Sequence, residues 1–201
     1  MSDFGLPARL RINLDQSVVL LVDDNPQALD IMGSVFQGFG VKQQIKCGSA
    51  LEAVDIVKTT QLDLIVIDCS MPEMDGYDFV RWLRRSDLRP AAFTPTIMVT
   101  GHPAQSKIEK SRDCGASFVV SKPITPAVLL ERIVWVAREE RPFVVCDAYA
   151  GPDRRFKNAG PPIGIAPRRR DDLPFEVGEA IDPNMAQAEI DLLLKPAKAP
   201  R

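Results

Sequence analysis

Residues 64–79 read LIVIDCSMPEMDGYDF, and their pattern is the clearest local indication of the fold class. The residues from Leu62 to Ile67 are almost continuously apolar and end at Asp68, as expected of a strand buried on both faces. A loop containing proline and glycine follows at Met71–Gly76, and apolar residues then recur at helical spacing over Tyr77–Arg85. Since a strand covered on both faces belongs to a parallel sheet, the stretch predicts one strand–loop–helix unit of an α/β protein.

The same alternation extends to both sides of this unit. Apolar or β-branched runs predict four more strands, at Val18–Val22, Gln43–Cys47, Thr96–Val99 and Phe118–Val120. Helical spacing predicts helices at Pro26–Gln37, after the capping residue Ser49, at Lys107–Cys114 and at Thr125–Arg138. Five strand–helix units in succession predict a doubly wound, five-stranded parallel sheet with helices on both faces.

Polar residues stand where four of the five predicted strands end. They are Asp23 and Asp24, Asp68, Thr100 and Lys122. In doubly wound sheets the functional groups lie beyond the carboxyl ends of the strands, so these side chains are expected to form one cluster. Neighbouring carboxylates favour a hard cation such as Mg²⁺, which prefers oxygen ligands. An aspartate that can form an acyl phosphate, a fixed ammonium and a hydroxyl donor together indicate phosphoryl chemistry.

Composition excludes several classes of protein. The 201 residues carry a formal net charge of -2, so no basic field for bulk nucleic-acid binding is present. None of the four cysteines lies in a CxxC pair, and the single His102 cannot complete a usual zinc site. The chain has neither an export signal nor an apolar run of membrane-spanning length, which predicts a cytoplasmic protein without membrane contact.

The composition changes after Arg138. Residues 139–201 contain nine of the 17 prolines and are predicted to be a largely irregular, Pro/Arg-rich extension. Asp182 and Pro183, followed by apolar residues, predict a capped helix over 183–195. The chain is therefore divided into an N-terminal extension at 1–16, a folded domain at 17–138 and the tail at 139–201.

Four segments resemble the CheY-like receiver domains of two-component systems, which have a flavodoxin-like fold. The segments are VVLLVDDNP at 18–26, LIVIDCSMPEMDGYDF at 64–79, IMVTGH at 97–102 and GASFVVSKPIT at 115–125. They occur in order and at predicted strand ends, and the resemblance covers residues 17–138.

The resemblance implies a response regulator that acts as a signalling switch and not as a turnover enzyme. Asp68 would accept a phosphoryl group from a sensor histidine kinase or phosphotransfer protein, and Thr100 and Lys122 would contact that group. Asp23, Asp24, Asp68 and the carbonyl of Cys69 would bind Mg²⁺. The Lys122–Pro123 bond is expected to be cis. Phosphorylation would reshape a surface of the fourth helix, fifth strand and fifth helix for a downstream protein, and the domain could autodephosphorylate.

Some features of the domain itself leave other interpretations open. A degenerate, unphosphorylated receiver would keep the fold without the chemistry. The sequence also departs from the family pattern: the aromatic switch residue expected three positions before the lysine is replaced by Val119, and Phe118 should face the other side of the sheet. His102, two residues after Thr100, either tunes dephosphorylation or is an exposed loop residue.

The tail suggests a second function. Arginines beside a Gly-Pro turn and aromatic residues can grip phosphates and stack on bases, and they weakly resemble the extension of Cle-type regulators that bind cyclic di-GMP. The candidates are Tyr149, Arg154, Arg155, Arg168, Arg169 and Arg170. The other interpretations are a solvated tail with paired charges and a helix at 183–195 that docks on the receiver or a partner. The tail is too short and proline-broken for a DNA-binding domain.

Overall fold

The computed structural model describes residues 13–138, 141–153 and 185–194. The strands are β1 (Val18–Val22), β2 (Gln43–Cys47), β3 (Leu64–Asp68), β4 (Thr96–Thr100), β5 (Phe118–Ser121), β6 (Phe143–Cys146) and β7 (Tyr149–Pro152). The helices are α1 (Pro26–Gly38), α2 (Ala50–Thr59), α3 (Gly76–Arg85), α4 (Gln105–Cys114), α5 (Pro126–Ala137) and α6 (Gln187–Leu194), with a short 3-10 turn at Ala91–Phe93.

The first five strands form one parallel sheet in the order β2-β1-β3-β4-β5. Helices cover both faces, and each face has its own apolar cluster. One cluster includes Ile65, Phe79 and Met98 and lies on the side of α2, α3 and α4. The other includes Val66, Phe36 and Ile133 and lies on the side of α1 and α5. The predicted doubly wound sheet is therefore confirmed, and consecutive residues of β3 divide between the two clusters because side chains alternate along a strand.

Local capping explains where the helices begin. The side chains of Asn25, Ser49 and Asp75 accept hydrogen bonds from backbone amides of the first helical turns of α1, α2 and α3. The predicted cap at Ser49 is confirmed by the bond from Glu52 N to Ser49 Oγ, at 3.1 Å. Such caps satisfy amides that have no partner inside the helix, and each fixes the point at which the loop after a strand turns into a helix.

Strand β3 begins two residues later than predicted. Asp63 is not part of the strand; its amide donates to Val18 O and its carboxylate accepts from Val18 N, at 2.9 and 2.8 Å. The side chain of Asp63 thus takes a backbone partner at the start of β1, and β3 starts at Leu64.

Two elements of the tail pack on the domain. Strands β6 and β7 form an antiparallel hairpin that the sequence did not predict. It contacts α3 and α4 through β7. Helix α6 begins at Gln187, four residues after the predicted start, and Ala186 N is capped by the carboxylate of Glu189 at 2.8 Å. Among the described helices, none is both long enough and apolar enough to cross a bilayer.

The hairpin lies beside a buried arginine of α3. Arg84 is 2% exposed and donates to three carbonyls, those of Gly115, Ala92 and Thr94, each at 2.9 Å. Its remaining bond goes to the hydroxyl of Thr96 at 3.2 Å. Burial lowers the pKa of this guanidinium to about 10. The hydrogen bonds of the Arg84 guanidinium therefore connect α3 to the segments that precede β4 and β5.

Candidate phosphoryl-acceptor site

Asp68 is the last residue of β3, and its carboxylate is buried at the carboxyl edge of the sheet. The residue is 5% exposed. One carboxylate oxygen lies 2.5 Å from the Lys122 ammonium, and the other accepts a hydrogen bond from Ser70 N at 2.6 Å. Burial raises the pKa of Asp68, and the bonds from Lys122 and Ser70 counter this only in part.

Lys122 bridges two buried carboxylates. Its ammonium lies 2.9 Å from Asp23, which is 1% exposed, as well as against Asp68. Burial alone would lower the pKa of Lys122, but the hydrogen bonds and negative charges of Asp68 and Asp23 outweigh burial and raise it. One ammonium between two carboxylates leaves the pair with surplus negative charge, which a cation or a group carrying a cation would neutralise.

Gly76 lets α3 begin directly beside Asp68. A Cβ at this position would stand 2.2 Å from Asp68 O and 3.2 Å from the Cα of Cys69. The amide of Gly76 donates to Cys69 O at 3.2 Å, which leaves that carbonyl a second lone pair. Any other residue would push the start of α3 away from the end of β3, so this glycine sets the position of the loop that follows the acceptor.

Asp24 lies at the exposed rim of the site, whereas the adjacent Asp23 is buried. It is exposed, and it lines an open cavity of about 500 Å³ together with Cys69, Ser70 and Lys110. In the described part of the chain, no three His, Cys, Asp or Glu side chains are grouped closely enough to hold a metal ion by themselves. The ammonium of Lys122 lies between Asp23 and Asp68, and this explains why the predicted carboxylates do not form a ready-made cage.

The donor set nevertheless suits Mg²⁺. The candidate ligands are all oxygen atoms: carboxylates, and the Cys69 carbonyl. Mg²⁺ keeps several of its waters and needs only one or two protein carboxylates. The cavity lined by Asp24 and Cys69 is large enough for a hydrated ion, so the residues present fit this cation.

Thr100 and Lys122 are linked through the backbone. Thr100 ends β4 in register with Ser121, and its carbonyl accepts from Lys122 N at 2.7 Å. The Thr100 hydroxyl is buried and accepts from His102 N at 3.1 Å. The backbone hydrogen bond between Thr100 and Lys122 holds these two residues next to each other at the edge of the sheet. The side chain of His102 itself is exposed, and the Lys122–Pro123 bond is cis as expected.

Val119 and Phe118 occupy opposite faces of the sheet, as predicted. Val119 is fully buried in the cluster that contains Ile108 of α4. Phe118 belongs to the other cluster and stacks edge-to-face on Trp135, with ring centroids 5.2 Å apart. No aromatic side chain of β5 therefore points toward α4. Strand β5 thus has no aromatic residue that could change its rotamer beside that helix.

The residues predicted to contact a nucleotide are only partly described. Arg154, Arg155, Arg168, Arg169 and Arg170 lie outside the described residues. Tyr149 is 5% exposed, and its hydroxyl donates to Pro152 O at 2.6 Å. With its ring packed in the hairpin, Tyr149 presents no open face on which a base could stack.

One contact beside the site was not predicted from the sequence. The side chain of Gln187 in α6 bonds to the backbone of β5 at Val119 and Ser121, beside Lys122. A lone glutamine in a polar tail carries no sequence signal for such a role, because the contact spans more than 60 residues of sequence.

Comparison with known proteins places the same segment in one family. Residues 19–134, which contain every candidate acceptor and metal residue, match the family described as response regulator receiver domain. The polar-differentiation response regulator DivK of Brucella ovis is 30% identical over 115 residues, which are 57% of this chain and 91% of DivK.

Two further comparisons involve histidine kinases. The probable histidine kinase 2 of Oryza sativa subsp. indica is 29% identical over 149 residues, or 68% of this chain, yet the match spans only 14% of that kinase. The receiver domain of the histidine kinase CKI1 from Arabidopsis thaliana, solved with Mg²⁺ and BeF3-, is 27% identical. It superposes with a TM-score of 0.54 over 63% of this chain and 93% of that domain.

Proposed function

Because this chain belongs to the response regulator receiver domain family, we propose that it is a signalling switch whose Asp68 accepts a phosphoryl group in a two-component phosphorelay. The donor is a phosphohistidine of a sensor kinase or phosphotransfer protein. The observation that carries the proposal is the buried Asp68 carboxylate at the end of β3, held by Lys122 beside a second buried carboxylate. Residues 17–138 form the receiver unit in this proposal, and residues 139–201 form its extension.

The side chains divide the chemistry among them. A carboxylate oxygen of Asp68 attacks the phosphorus atom, the nitrogen–phosphorus bond of the donor breaks, and an acyl phosphate forms as the donor imidazole leaves. The Lys122 ammonium already contacts Asp68 and neutralises charge on the transferred group. The Thr100 hydroxyl, which accepts from His102 N, is free to donate its proton to a phosphoryl oxygen. Attack by water on the same phosphorus atom would reset the switch.

We further propose that Mg²⁺ is the cofactor, held by the carboxylates of Asp23, Asp24 and Asp68 and by the carbonyl of Cys69. When bound, it supplies positive charge to the phosphoryl oxygens. Support comes from the surplus negative charge around Lys122, from the cavity at Asp24 and Cys69, and from the Mg²⁺ bound by the CKI1 receiver domain.

The output of the switch is a protein contact. A phosphoryl group adds up to about two negative charges at one buried point. The Thr100–Lys122 backbone link carries the response to β5 and to the loop before α4. The switch proposed here thus acts through the face formed by α4, β5 and α5, and the downstream partner is a protein that distinguishes two arrangements of that face.

Phosphoryl transfer to the Asp68→Asn variant tests the proposal. Radiolabelled phosphotransfer protein should label the native chain, and the label should be lost on treatment with hydroxylamine, which cleaves acyl phosphates. The variant should incorporate no label, because an amide cannot form the acyl phosphate. Asp55→Asn, at an exposed acid of α2 paired with Lys58, is the matched control and should be labelled normally. Normal labelling of Asp68→Asn would refute the assignment.

A further inference from the structure

Helix α6 is seated on the receiver domain against α4 and β5. Its Ile190 is fully buried and belongs to the same apolar cluster as Ile108 of α4 and Val119 of β5. Met185, just before the helix, packs against that cluster as well. Helix α6 therefore covers apolar surface that would otherwise face solvent beside β5.

The glutamine on the first turn of α6 binds the backbone of the edge strand. Within the described part of the chain, strand β5 has a strand neighbour on one side only. The Gln187 amide nitrogen donates to Val119 O at 3.2 Å, and the amide oxygen accepts from Ser121 N and Ser121 Oγ, at 2.8 and 2.9 Å. The side-chain amide thus offers one donor and one acceptor to alternate residues of β5, as a peptide group of a neighbouring strand does.

The start of α6 is attached to both segments that carry Thr100 and Lys122. Ser121 directly precedes Lys122 and lies in register with Thr100. The second attachment is the bond from Met185 N to Pro103 O, at 2.7 Å, three residues after Thr100. Any displacement of Thr100 or Lys122 is therefore applied directly to the bonds that hold α6.

We propose that α6 is an intramolecular helical ligand of the α4–β5 face, and that phosphorylation of Asp68 releases it. The proposal rests on the function proposed above. The three bonds of Gln187 fit the position that Ser121 adopts while Lys122 bridges Asp23 and Asp68. A phosphoryl group draws the Lys122 ammonium and the Thr100 hydroxyl toward itself, and Ser121 and Pro103 move with them. The released face then becomes available to a partner helix.

Such a coupling acts in both directions. If the phosphorylated state weakens the docking of α6, then loss of docking favours the phosphorylated state by the same factor. A variant that only loosens α6 must therefore bind a phosphoryl mimic more tightly, although the three described bonds of Gln187 go to Val119 and Ser121 and not to Asp68, Thr100 or Lys122. A purely structural role for Gln187 would not produce this effect.

Hydrogen exchange of the full chain tests the release. Mass spectrometry would follow the peptide that covers residues 185–194 in Mg²⁺ with and without beryllofluoride, and ¹⁹F NMR would report binding of the mimic independently. We expect exchange in this peptide to rise at least about fivefold when the mimic binds, while peptides of β1 and β3 stay unchanged. A bound fluoride signal with unchanged or slower exchange in α6 would overturn the release and leave the phosphoacceptor function intact. Absence of a bound signal would overturn both.

The Gln187→Ala variant tests the reciprocal effect. It removes the three bonds to β5 and should lower the beryllofluoride concentration for half-saturation by at least about fivefold. Gln37→Ala, at an exposed helical glutamine of α1, is the matched control and should behave like the native chain. Faster exchange in α6 of Gln187→Ala without a change in half-saturation would show that docking and modification are independent.

Discussion

At the scale of single residues, the electrostatic balance around Lys122 favours the proposed binding of a cation. Two buried carboxylates share one ammonium, and the exposed Asp24 adds a further negative charge at the rim. A divalent cation relieves this excess in the folded chain. The unfolded chain has no such cluster, so cation binding should stabilise the fold by mass action.

Mg²⁺ should therefore raise the melting temperature of the native chain. At ten times its dissociation constant the ion contributes about 1.4 kcal/mol to the free energy of unfolding. The Asp24→Asn variant should lose most of this increment because it removes a proposed ligand. Differential scanning calorimetry with Mg²⁺ or a chelator measures the effect, and Asp55→Asn serves as control. An equal Mg²⁺ increment in Asp24→Asn would exclude Asp24 as a ligand.

The four thiols should differ sharply in reactivity. Cys47, Cys69 and Cys114 are buried, and burial raises the pKa of each to about 12, whereas Cys146 is exposed. Since the thiolate is the reactive form, a disulfide reagent at pH 7.5 should titrate one thiol of the native chain rapidly and all four in denaturant. Cys146→Ser should abolish the rapid phase. Rapid reaction in that variant would mean that a buried thiol is accessible.

At the scale of elements, Arg84 joins α3 to the starts of β4 and β5. Replacing it with leucine would leave the buried carbonyls of Gly115 and Ala92 without their Arg84 donor, whereas the Thr94 carbonyl would keep its bond from the Thr96 hydroxyl. Since each unsatisfied buried group costs about 1–3 kcal/mol, Arg84→Leu should lower the free energy of unfolding by about 3 kcal/mol or more. Urea titration measures this loss.

The neighbouring arginine supplies the control. Arg85 is exposed at the end of α3, and Arg85→Ala should change the free energy of unfolding by no more than about 0.5 kcal/mol. Equal losses for the two variants would show that the hydrogen bonds of Arg84 are not what holds these elements together.

The sequence predicted the elements whose signal is local. Strand β3 is an apolar run that ends in an aspartate, and α2 begins at a capping serine, so both could be recognised without tertiary information. The hairpin could not. Its second strand contains Gly151 and Pro152, residues that normally interrupt strands, and β7 is buried by its contacts with α3 and α4, where the Ala150 carbonyl lies close to Gly115.

In the candidate site, too, only the features with a local sequence signal could be predicted. The strand-end rule brings Asp68, Thr100 and Lys122 to one edge of the sheet, as predicted. It does not tell which carboxylates the ammonium would engage, and the structure pairs Lys122 with Asp23 and Asp68 while Asp24 stays at the rim. The contact of Gln187 with β5 depends on where a distant helix docks, and no local pattern encodes that.

At the scale of the whole molecule, α6 adds Ile190 to an apolar core cluster whose other buried members all belong to the receiver unit at 17–138. Ile190→Asp should unseat α6 because a carboxylate cannot stay in that apolar cluster. Strands β1, β3 and β4 would keep their contacts, so the urea midpoint should fall only slightly, with cooperative unfolding retained. Ile67→Asp, between the helices at the sheet centre, should abolish folding. Loss of cooperative unfolding in Ile190→Asp would show that the receiver unit cannot keep this cluster together without α6.

The sheet has two unlike borders, and this asymmetry limits how copies of the chain can join. On the side of β5 the amide of Gln187 occupies backbone groups, whereas β2 on the far side carries the exposed Gln43 and Lys46 and has no outer strand among the described residues. Growth of a continuous sheet from molecule to molecule requires two available borders on each subunit. With α6 in place, only the β2 border is available for backbone pairing. Two copies that pair through β2 form a twofold-symmetric dimer with no further border to offer, so a third copy cannot add to the sheet and no fibre grows.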